Sequence, residues 1–106
     1  MGTTEGRWAF LTNHGHVLLA LYRDADLRQR DLAHAVGITE GAVNRILTDL
    51  QAAGYVEVER IGRRNHYNVI TSGDLRHPLE EGHCIGEVLE RLAPEAAGER
   101  LESATT

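Results

Sequence analysis

Apolar positions fall into helical runs on either side of one alternating stretch. Val17, Leu18 and Leu21 share a face, which predicts a first helix from about His14 to Arg23 with Asn13 as its cap. Asp24 to Asp26 interrupt it, and Leu27 and Arg28 read as extended, a short strand. Leu32 and Val36 lie one helical turn apart, predicting a second helix over Gln29 to Val36. Val43, Ile46, Leu47 and Leu50 predict a third from Glu40 to about Ala53. Gly54 then suits the left-handed residue that closes a helix.

The join between the second and third helices is the most informative stretch. Ala33 is small enough to let two helices approach, Gly37 supplies the positive φ of a tight turn, and Val43 fills the gap between them. Thr39 stands where an N-cap belongs, and Glu40 suits the positive end of the helix dipole. Residues 29–53 therefore read as a helix-turn-helix.

Beyond Gly54 the period changes. Val56 and Val58 alternate with Glu57 and Glu59, the mark of a strand. Gly62 to Asn65 read as a turn, and His66 to Ile70 as a returning strand with Tyr67 and Val69 on one face. The result is a β-hairpin with Arg63 and Arg64 at its tip. After a connector, Pro78 opens a last helix that Pro94 ends. Within it Ile85, Val88, Leu89 and Leu92 form one stripe at i, i+3, i+4 and i+7. Residues 1–7 and 93–106 read as flexible ends around a domain at 8–92. Trp8 and Phe10, the only Trp and Phe, demand burial against the domain or a partner chain.

Composition narrows the function. At 106 residues and 42% hydrophobic, one small domain is expected. No apolar run could span a membrane, and a single cysteine fits a reducing cytoplasm. All eleven basic side chains are arginine, which excludes lysine-dependent phosphate loops and Schiff bases. The net charge of −5 is unevenly spread: −1 over 1–27, +1 over 28–70 and −5 over 71–106. The acidity is thus C-terminal, away from the helix-turn-helix. No nucleophile motif points to an enzyme.

The order helix, helix, turn, helix, hairpin, carried by RDLAHAVGITEGAVNRILTDLQAAGYVEVERIGRRNHYNV, resembles the winged helix-turn-helix regulators of the MarR type, with ArsR-type regulators as relatives in fold. The resemblance covers about Leu11 to Val69. It implies a mainly α fold with a small β-hairpin and a C-terminal dimerisation helix. The implied function is sequence-specific binding of double-stranded DNA as a homodimer, without a cofactor. The helix at 40–53 would enter the major groove and the wing at 60–66 would meet the minor groove. Such a helix can present Arg45 to a guanine edge and Asn44 to an adenine edge or a phosphate. Thr39 and Thr48 can reach phosphates, as can Arg28 and Arg30 at the start of the second helix. Wing arginines in these regulators reach the minor groove or its flanks, which assigns Arg63 and Arg64. Gly41 departs from the family, where a longer polar residue is common.

A homodimer would match a palindromic site. Ile85, Val88, Leu89 and Leu92, joined by Trp8 and Phe10, are the expected interface. Two other readings compete. One is a winged helix that only docks other proteins, which the net negative charge favours and the paired arginines oppose. The other is a metal-responsive, ArsR-like regulator, suggested by six histidines and Cys84. Against a metal, His14 and His16 point to different helix faces, and His83 and Cys84 diverge by about 100°. No metal site is expected, and no small-molecule effector is named by the sequence.

Overall fold

The computed structural model describes residues 8–96, and α1 (Asn13–Arg23) lies at the centre of it. Its apolar face is completely covered, with Val17 and Leu21 at 0% exposure. α2 (Gln29–Val36) and α3 (Glu40–Ala52) pack on it. β1 (Val56–Ile61) and β2 (Arg64–Val69) form the hairpin, and α4 (Ile85–Leu92) closes the far side. Leu32, Val43 and Leu47 complete the interior.

The helix-turn-helix forms for the expected reasons. Gly37 ends α2 at φ 87°, and the N–H groups of Gly37 and Ile38 both donate to the Ala33 carbonyl. Ala33 and Val43 are buried against each other's helices. The Thr39 hydroxyl accepts from Ala42 N–H at 3.0 Å, so it is the N-cap of α3. At the start of α1 the cap is Thr12 and not Asn13: the Thr12 hydroxyl accepts from Gly15 N–H. Asn13 is already helical, one residue earlier than its polarity suggested.

The hairpin is antiparallel, pairing Val56 with Val69 and Val58 with Tyr67. Val56, Tyr67 and Val69 are buried, whereas Val58 is exposed because the hairpin projects past the core. Its turn is tighter than expected. Only Gly62 and Arg63 lie outside the strands, and Gly62 takes φ 63°. Arg64 and Asn65 belong to β2. Leu27 and Arg28 form no strand; instead the Tyr67 N–H donates to the Ala25 carbonyl at 2.9 Å.

The C-terminal region departs most from expectation. Pro78 opens only a single 3-10 turn, Pro78–Glu80, capped by His77. Gly82, at φ 89°, then breaks the chain direction before α4 begins. An isolated bridge between Asp74 and Cys84 pins this connector. Gly86 meets Thr71 so closely that an added Cβ would lie 2.7 Å from the Thr71 carbonyl oxygen. The packed body also extends past residue 92, since Ala93 and Ala96 are buried in the core. At the other end Trp8 and Phe10 are 77% and 91% exposed, so a single copy does not bury them.

Leu89 is 1% exposed and packs inside its own chain, so it belongs to the core and not to an outward-facing stripe as expected. Leu89→Ala is expected to lower stability by about 2–5 kcal/mol, read by urea unfolding. At the start of α4 the Glu87 carboxylate accepts from Cys84 N–H at 3.0 Å and pairs with the His83 ring at 2.7 Å. The Cys84 bond first, and His83 second, hold the Glu87 carboxyl below its ordinary value of 4.5. A depressed carboxylate stabilises the fold above that value and loses its contribution as pH falls through the lower folded value. Glu87→Gln is therefore expected to unfold more readily than wild type at neutral pH, with the gap closing in acid.

Candidate nucleic-acid interface

The outward face of α3 carries Glu40, Gly41, Asn44, Arg45, Thr48 and Asp49, all exposed. This follows from committing Val43, Ile46, Leu47 and Leu50 to the interior. Arg45 forms no hydrogen bond or ion pair among the described residues, so its guanidinium is available. Asn44 is partly engaged: its side-chain oxygen accepts from Gln29 Nε2 at 3.5 Å. The Thr48 hydroxyl donates to the Asn44 carbonyl on its own helix at 3.0 Å, leaving its lone pairs outward. Asp49 is paired with His14 at 2.8 Å, which draws this acid toward the N-terminal end of α1.

A second group forms where the wing meets the start of α2. Arg28, Gln29, Arg63, Arg64 and Asn65 line a hollow of about 410 Å³ floored by Leu27 and Tyr67. Residues distant in sequence converge here because the loop after α1 grips β2. Arg64 Nη2 donates to the Asp26 carbonyl at 2.6 Å, and the His66 ring meets the Asp26 carboxylate at 2.7 Å. The Tyr67 N–H on the Ala25 carbonyl is the third bond of this latch. The Asp26 carboxylate is 66% exposed and His66 28%.

Arg64 therefore does not project from the tip as expected; it is tied back to the α1–α2 loop. Arg63 alone stands at the turn, with no partner among the described residues. Arg60 curls over the tip onto the Gly62 carbonyl and the Asn65 side chain. Arg30 is exposed on α2 but does not line the hollow. Thr39 accepts from Ala42 N–H at its cap, which leaves its own O–H to donate outward. Sequence reasoning missed Gln29, Asn65 and the Asp26 latch. Gln29 had a signal, since it opens α2 beside Arg28. The latch had none, because its partners lie 38 and 40 positions apart.

The family model described as winged helix-turn-helix DNA-binding matches residues 11–57, from the start of α1 into the wing. Over that stretch the chain is similar to winged helix-turn-helix DNA-binding domains. A search of curated proteins returned no match. Solved structures with this fold include MepR, a regulator of the Staphylococcus aureus multidrug efflux pump MepA. MepR is 23% identical with a TM-score of 0.54, over 89% of this chain and 71% of its own. A MarR/EmrR family regulator from Acinetobacter sp. ADP1 is 17% identical with a TM-score of 0.54, over 95% and 64%. The zinc-dependent MarR family regulator AdcR, solved in its Zn(II)-bound state, is 20% identical with a TM-score of 0.50, over 99% and 67%. The winged helix thus shares the fold of MarR-family transcription regulators while spanning about two thirds of their length.

Among the described residues no helix is long and apolar enough to cross a membrane. Nor do three His, Cys, Asp or Glu side chains converge there to hold an ion. His14 and His83 instead pair with Asp49 and Glu87. Asp26→Ala leaves β2 held only by backbone and Arg64. It is expected to weaken binding to duplex DNA several-fold while moving the melting temperature little, measured by fluorescence anisotropy and thermal unfolding.

Proposed function

We propose that this winged helix is a cytoplasmic transcriptional regulator that binds duplex DNA sequence-specifically as a homodimer, and that it is not an enzyme. The observation that carries this reading is the placement of unpaired arginines. Arg45 stands on the outward face of α3, while Arg28 and Arg63 border the hollow between wing and helix-turn-helix. A chain of net charge −5 that gathers free cations on one functional face is arranged for a polyanion.

α3 enters the major groove. Arg45 donates to the O6 and N7 of a guanine, and Asn44 reads a neighbouring base or holds a phosphate, with Gln29 fixing its orientation. Arg28, Arg30 and the free O–H of Thr39 serve the sugar-phosphate backbone, Thr48 can do so only by releasing the Asn44 carbonyl, and Arg63 enters or flanks the minor groove. Arg64 holds the wing at the angle that lets both grooves be met at once. Gly41 brings the start of α3 close to the DNA without a side chain of its own. Two copies double the base contacts and suit a palindromic operator. The interaction-only alternative gives Arg63 no task, since nothing among the described residues engages it.

The test is fluorescence anisotropy on random and selected duplexes at two salt concentrations. Binding that collapses as salt rises is expected, and its absence at low salt would sink the proposal. Arg45→Ala should relax preference at one base position, at a cost of about 1–3 kcal/mol there. Arg63→Ala should weaken all sequences alike and lower the salt slope by about 1.

A further inference from the structure

We infer that a groove between α1, α3 and α4 is filled by Trp8 and Phe10 of a second copy of this chain, each copy inserting its aromatic pair into the other. This rests on the homodimer proposed above and specifies its contact. The groove has a volume of about 770 Å³ and is walled by Leu18, Leu50, Ala53, Tyr55, Ile85 and Val88. Nothing else in the described chain occupies it.

Trp8 and Phe10 are its natural occupants. They are 77% and 91% exposed and pack edge to face, with ring centroids 4.6 Å apart. Two large rings packed together and left exposed form an anchor that calls for a socket. In their own chain they do not enter the groove. Phe10 is held at its rim, two residues before the Thr12 cap that fixes the start of α1. That tether extends at most about 7 Å. A second copy has no such restriction.

Anchor and socket share one face, which is the requirement for a closed two-fold contact. The rim carries both signs, with Arg76 and Glu80 beside the groove, so the face can meet itself without net repulsion. The area is also sufficient. Each ring offers about 150–250 Å². Two rings per copy, exchanged both ways, and the walls they cover bury about 1,200 Å², the lower end of the range for a stable interface. Exposed Leu79, next to the rim, adds to the same face.

Trp8 is the only tryptophan, so it reports directly on its own burial. The full chain is followed by sedimentation and by intrinsic fluorescence over a dilution series. The expected result is a dimer with blue-shifted emission, both lost together on dilution. The double variant Trp8→Ala, Phe10→Ala should raise the dimer dissociation constant about 100-fold or more. Ala53→Phe, which fills the groove, should do the same while circular dichroism stays native. Mixed in equal amounts, the two variants should form a heterodimer, because one intact pair then faces one open groove. A dimer with water-exposed emission would overturn the inference and leave the homodimer standing. A monomer with exposed emission would overturn both. A monomer whose emission is blue-shifted at every concentration would place the pair in its own groove and also overturn the inference.

Discussion

The apolar face of α1 is the surface on which the molecule is assembled. Val17 and Leu21 are wholly enclosed, Leu18 and Tyr22 almost so, and α2, α3, β2 and α4 all pack against this one helix. The positions of α3 and the wing relative to one another follow from their separate grips on it. α3 is set by the Gly37 turn and by burial of Val43 and Leu47. The wing is set by Tyr67 and Val69 beneath it and by the loop that leaves α1. A winged helix holds its third helix and its wing at a fixed separation, and here a single helix serves as their common ruler.

What was legible in the sequence was local. Ala33, Gly37, Thr39 and Val43 act within a few residues of one another, so their spacing alone defines the turn and the cap. The alternation around Val56 and the inward pair Tyr67 and Val69 is equally short-ranged. What was hidden depends on contacts distant in sequence. The stripe through Ile85, Val88, Leu89 and Leu92 correctly marks an apolar face, but a stripe does not say what covers it. Leu89 turned inward while Leu92 stayed 46% exposed. The break at Gly82 depends on a bridge between Asp74 and Cys84 that composition does not announce.

The candidate interface divides the same way. Arg45 and Arg63 were recoverable because helical period and turn position dictate their exposure. Arg64 was misplaced by a single residue of turn length, and that residue changes its role from reaching outward to bracing the wing. Gly62 at φ 63° makes the tighter turn possible and so decides between the two.

Two of the three bonds in the latch between the α1–α2 loop and β2 are accepted by main-chain carbonyls, those of Ala25 and Asp26. A main-chain acceptor survives almost any change of side chain, provided the peptide stays where it is. The loop is therefore open to drift in letter but closed to drift in length: substitutions at Ala25 leave its carbonyl in place, whereas one inserted or deleted residue would carry the acceptors out of register with Arg64 and Tyr67.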